Sequence, residues 1–113
     1  MCEFRYSGDG IHWRTVLNHT GPNADRSTIM FNPFRKSWVY SIKQDKGYSK
    51  TDPAHDLGRS RRYWEVDDLV RGGRWTADQP YDWVSADDLD IPVGCNSPSC
   101  PVSQLYALDG VGY

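Results

Sequence analysis

The chain has 113 residues, room for one domain with one modest core. A formal net charge of −2, with 38% hydrophobic and 25% charged residues, leaves no overall charge to recruit nucleic acid or an anionic membrane. No apolar run approaches the roughly 18 residues needed to cross a bilayer, and five Trp with seven Tyr suit a β-rich core or a sugar-stacking surface.

The opening MCEFRYSGDG has no basic region followed by an apolar one, so no export leader is read in this chain. Localisation stays open, and an exported parent, secreted or periplasmic, is compatible with it. YSGDGIHW, Tyr6 to Trp13, reads as a tight turn in which Asp9 accepts from nearby backbone N–H groups and Gly10 tolerates positive φ. STIMFNPFRKSWVYSIK reads as a hairpin with strands at 28–32 and 37–43. Ile29 and Phe31 share one parity, as do Trp38, Tyr40 and Ile42, and the connector 32–36 carries Asn and Pro. The polar, turn-rich stretch 44–58 is a loop.

A third strand is expected over 59–66. There Arg59, Arg61 and Tyr63 alternate with Ser60, Arg62 and Trp64. The alternation splits the arginines between two faces, so no nucleic-acid partner is expected, and Glu65 is expected to pair with Arg61 or Arg62. The following block, VDDLVRGGRW, echoes the opening turn, with Asp68 for Asp9 and Trp75 for Trp13 at a spacing of roughly 60 residues. On that echo both aspartates serve the backbone and both tryptophans pack between repeated units. The period fits a four-stranded propeller blade with long loops.

From Thr76 to Gln104 the chain reads as irregular, and QLYALDGVGY at its end reads as the opening of another strand. The irregular stretch holds Trp83 and the acidic cluster Asp87, Asp88 and Asp90, a sugar or cation site in one reading and a solvated turn in the other. An odd count of three cysteines, Cys2, Cys95 and Cys100, argues against a disulfide framework. CNSPSC has no second ligand pair, so no metal and no cofactor is expected.

Three segments, SGDGIHW, DRSTIMFNPFRKSWV and RRYWEVDD, together resemble the five-bladed β-propeller glycosidase superfamily, the invertase-like and arabinanase/xylosidase-like enzymes. The nearest likeness is to uncharacterised bacterial glycoside hydrolase-like members. The resemblance implies an all-β chain forming part of a five-bladed propeller: the end of one blade over 1–20, a complete blade over 21–80, an inter-blade loop over 81–104 and the start of the next blade over 105–113. It implies a glycoside hydrolase-like parent that cleaves or binds poly- or oligosaccharides. Asp25 would start a funnel-lining strand, orienting the sugar and stabilising the transition state, with Arg26 beside it gripping sugar hydroxyls. Asp109 would stand where the family usually has its general acid, a Glu.

Asp25 and Asp109 are thus the expected catalytic positions, and Arg26, Trp83, Asp87 and Asp88 the expected substrate-binding ones. The order Asp-Arg without a following Pro, and Asp in place of Glu, depart from the family pattern. The blade carrying the family's other catalytic Asp is expected upstream, so this chain alone is not expected to catalyse. The expected partners are carbohydrate and either the rest of the propeller or another chain. The competing readings are a non-catalytic carbohydrate-binding domain using Trp83 and the acidic loop, and an interaction domain that completes its sheet with another chain.

Overall fold

The structure is a computed structural model and describes residues 1–45, 58–87, 90 and 104–110. It is all-β as expected, with two antiparallel sheets and one short helix. Strands β1 (Phe4–Tyr6) and β2 (Arg14–Leu17) form a hairpin around the Ser7–Trp13 turn. Strands β3 (Thr28–Asn32), β4 (Ser37–Gln44), β5 (Ser60–Val66) and β6 (Tyr81–Val84) form a four-stranded sheet in sequence order. Helix α1 (Leu69–Gly72) follows β5. Among the described residues neither sheet closes on itself.

The expected hairpin forms at its expected place because its turn chemistry is explicit. Asn32 Oδ1 accepts from the backbone N–H of Phe34 at 3.1 Å and of Arg35 at 3.2 Å, and Lys36 takes φ 53° to bring the chain back. The register pairs Phe31 with Trp38 and Thr28 with Ser41. On β4, Trp38, Tyr40 and Ile42 then face one way, while Ser41 and Lys43 face the other.

The core lies on the Tyr40 face. Tyr40, Ile42 and Trp75 are buried there, with Phe4, Trp38, Trp64, Val66 and Leu69 packed around them. Trp75 meets Tyr40 edge-on at 5.0 Å between ring centroids, and Phe4 from the first sheet stacks on Tyr40 at 6.2 Å. Three polar handles in this core have backbone partners. Tyr40 Oη donates to the Leu69 carbonyl, Trp64 Nε1 to Gly72 O at 2.8 Å, and Trp75 Nε1 to Pro22 O at 3.0 Å. Burial pushes the Tyr40 phenol well above its ordinary pKa. Gly72 is required by close approach, since a Cβ there would lie 2.3 Å from Val66 Cγ2.

Four expectations are corrected. Trp13 does not pack between units: it is 59% exposed, with its indole N–H turned onto Gly10 O of its own turn at 3.2 Å. The stretch after Thr76 is not wholly irregular, because Tyr81–Val84 pairs with β5 as a fourth strand, Tyr63 opposite Tyr81. Glu65 pairs with Arg35 at 3.1 Å rather than with Arg61 or Arg62, since it lies across the ladder from Val39, beside Ser37, at the β3–β4 turn end of the sheet. Finally, Gln104–Gly110 forms no strand. Its backbone is engaged instead by Arg59 O, the Arg61 guanidinium and the Thr28 hydroxyl.

Asp9 and Asp68 serve the backbone. Asp9 Oδ1 accepts from Ile11 N at 2.9 Å and His12 N at 2.8 Å, and Asp68 caps α1 by accepting from Arg71 N at 2.8 Å. The His12 ring on Asp9 Oδ2, with these N–H groups, holds the Asp9 carboxyl far below the usual range.

Candidate functional site

The site begins with two cations on the face opposite the core. Lys43 on β4 lies directly across the ladder from Arg61 on β5, so both project from the same face. Both are buried, Lys43 at 3% exposed and Arg61 at 0%. A buried charge must be satisfied locally. Lys43 Nζ does so with Asp25 Oδ1 and with Asp45 Oδ1, the latter at 3.2 Å. Arg61 uses carbonyls instead: Nη1 donates to Arg26 O at 2.6 Å and Nη2 to Tyr106 O. Its Nε and the neighbouring Ser41 Oγ have no partner among the described residues. Burial holds the Arg61 pKa down, and the Asp109 and Asp25 carboxylates act in the opposite direction.

The two expected catalytic carboxylates are therefore both within electrostatic reach of one buried guanidinium. Asp25 and Arg26 do not start β3, as expected from the resemblance; they form a turn ahead of it. Arg26 takes φ 58°, and the strand begins at Thr28. Ser27 fixes this turn by donating its hydroxyl to Ala24 O at 3.0 Å and accepting from Lys43 N at 3.0 Å. The turn exposes the Asp25 side chain while Lys43 holds one of its oxygens.

Tyr106 completes the cluster. Its backbone is held by Arg61, Leu105 N donates to Arg59 O at 3.0 Å, and Thr28 Oγ1 donates to Leu108 O at 3.0 Å. Tyr106 is 41% exposed and its ring lies among three cations, 4.7 Å from Arg59 Cζ, 5.0 Å from Lys43 Nζ and 5.8 Å from Arg26 Cζ. Its hydroxyl donates to Asp25 Oδ2 at 3.2 Å. The result is an exposed aromatic ring beside a carboxylate and two arginines, fixed from below by buried groups.

Lys43, ahead of the Tyr106 hydroxyl, holds the Asp25 carboxyl below its ordinary 3.8, and the same contact with Asp25 raises Lys43 above 10.5. The depressed carboxyl contributes stability above 3.8 that is lost as pH falls through its folded pKa. The raised ammonium contributes stability below 10.5 that is lost as pH rises through its folded pKa. Tyr106 should stay docked between those limits and loosen outside them. An NMR titration of the Asp25 carboxyl and the Tyr106 ring checks this: both should move together with a midpoint under 3.8, and an Asp25 midpoint at or above 3.8 would contradict the pairing.

The remaining expected site residues lie elsewhere. Trp83 is on β6, where it meets Tyr63 edge-on at 5.3 Å, and Tyr81 on the same strand lies 5.2 Å from Tyr63. Tyr63 donates to Glu65 Oε2 at 2.7 Å, and its pKa is pushed up to about 12 by burial and by that carboxylate. Asp87 forms a turn with Asp90: Asp87 N donates to Asp90 Oδ2 and Asp90 N to Asp87 O, both at 3.0 Å. Asp88, Cys95 and Cys100 lie outside the described residues. Tyr106, Arg59, Lys43 and Arg61 belong to the cluster without any motif that marks them in the sequence. The available signal was a Lys and an Arg at the same-face positions of two central strands that are otherwise rich in apolar and aromatic residues.

Searches against known protein families, curated proteins and solved structures find no match to this chain.

Proposed function

We propose that the chain binds carbohydrate at the Asp25–Tyr106 cluster, as part of a five-bladed, glycoside hydrolase-like propeller in which β3–β6 is one blade. The observation that carries the reading is the fixed grouping of an exposed ring, an ionised carboxylate and the Arg26 and Arg59 guanidiniums. Sugars are recognised by that combination: a ring for the C–H face, and charged groups that hydrogen-bond pairs of hydroxyls. The four-stranded antiparallel meander has the strand count and order of a blade. Its outer strands β3 and β6 leave Ile29, Phe31, Tyr81 and Trp83 exposed, as a blade awaiting neighbours does.

Glycoside hydrolysis needs one carboxyl that donates a proton and a second that attacks or activates water. Asp25, kept ionised by Lys43, suits orientation of the sugar and stabilisation of positive charge, not proton donation. Binding is accordingly the activity proposed for this chain, and cleavage is assigned to the propeller as a whole. Calorimetric titration of the chain with xylotriose, arabinotriose and maltotriose tests it. At least one should bind, and Tyr106→Ala should weaken that binding roughly tenfold or more while the circular dichroism spectrum stays unchanged. Absence of binding by all three, or equal binding by the variant, would remove the cluster from consideration.

A further inference from the structure

A groove of about 420 Å³ lies on another part of the molecule, between the β2–β3 loop and the segment after α1. Its floor is built closely. Gly21 N donates to Gly73 O at 2.9 Å, and Gly21 lies so tightly on Trp75 that a Cβ would be 2.3 Å from the indole Cδ1 and from Trp75 O. Thr20, 4% exposed, is fixed by its hydroxyl, which accepts from Cys2 N at 2.9 Å and donates to Gly21 O at 3.0 Å. Its walls are Asn18, His19 and Arg74. All three are exposed, and none of their side chains makes a hydrogen bond or ion pair with the described residues. A closely packed floor under three exposed polar side chains offers room and hydrogen-bonding groups for a ligand, and the volume is that of a small saccharide.

We propose that this groove binds a carboxylate-bearing sugar, a uronate residue, with Arg74 on the carboxylate and Asn18 and His19 on the ring hydroxyls. The planar Arg74 fork matches a carboxylate in bidentate fashion. Among the described residues it is the one Lys or Arg in the lining, which suits one carboxylate at a time better than a phosphate. The Asn18 amide and the His19 ring beside it can hydrogen-bond hydroxyls. The proposal does not rest on the Tyr106 cluster.

Calorimetry with trigalacturonate, galactotriose and inorganic phosphate, on the full chain and on Arg74→Ala and Tyr106→Ala, separates the possibilities. The expected result is binding of trigalacturonate, with galactotriose weaker by roughly tenfold or more. Arg74→Ala should lower trigalacturonate affinity by a similar factor, and Tyr106→Ala should leave it unchanged. Arg74 is exposed, so unchanged circular dichroism is expected of its variant. Failure of trigalacturonate to bind, indifference to Arg74→Ala, or loss on Tyr106→Ala would overturn the groove as a uronate site. Phosphate binding as tight as trigalacturonate would overturn the sugar assignment.

Discussion

Trp75→Ala should destabilise the fold by about 3–5 kcal/mol, the range for removing a large buried aromatic. Trp75 is 5% exposed and joins three parts of the molecule. Its ring meets Tyr40 of the second sheet, its indole N–H is bonded to Pro22 O, and Gly21 lies against its face. Alanine would open a cavity beside Tyr40 and leave the Pro22 carbonyl without its donor. Against a typical total of about 5–15 kcal/mol for a small domain, the loss is a large fraction. Trp13→Ala is the control. Trp13 is 59% exposed and contacts its own turn, so its replacement should change stability by about 0.5 kcal/mol or less. Urea midpoints of the two variants measure the contrast, and equal losses would contradict this assignment of the core.

Arg61→Ala should cost about 2–4 kcal/mol and also abolish sugar binding at the Tyr106 cluster. The guanidinium is fully buried and ties the Arg26 carbonyl, in the turn before β3, to the Tyr106 carbonyl. Without it both carbonyls lose a charged donor, a void opens across from Lys43, and the 104–110 segment loses the anchor that holds the Tyr106 backbone. Arg61→Met separates charge from volume. It fills the void and removes a desolvated cation, so its stability cost should be under half that of Arg61→Ala. Binding should still fail, because Met cannot hold the Tyr106 carbonyl. Retained binding in Arg61→Met would mean that the clamp does not position Tyr106.

These two residues mark what the sequence made legible. The DRST…NPFRK…W stretch carries its own turn chemistry in Asn32 and Pro33 and its own alternation on β4, so strands, turn and core face could be read from it directly. β5 was legible for the same reason. The fourth strand was not, because YDWV has four residues and follows a turn-rich stretch, and its pairing with Tyr63 is a long-range matter. The echo between Trp13 and Trp75 was half true: similar local sequence faces solvent in a two-stranded hairpin and the core after α1. Burial is decided by what packs on a turn, which local spacing does not encode.

In the site, Asp25, Arg26 and Asp109 were visible as residues, but their common centre was not. Arg61 reads as one of three arginines in RSRR, and only its register opposite Lys43 puts it in the interior. Tyr106 is brought in by a segment without regular structure, which no periodicity signals. Trp83, expected to contact sugar, stands in an aromatic cluster with Tyr63 and Tyr81.

The most direct test of the central claim is an amide shift map of the isotopically labelled chain during titration with the neutral trisaccharides. Sugar recognition by the Asp25–Tyr106 cluster predicts that the largest shifts fall on Asp25, Arg26, Arg59, Tyr106 and Asp109. Shifts confined to Trp83 and its neighbours, or none at all, would contradict it.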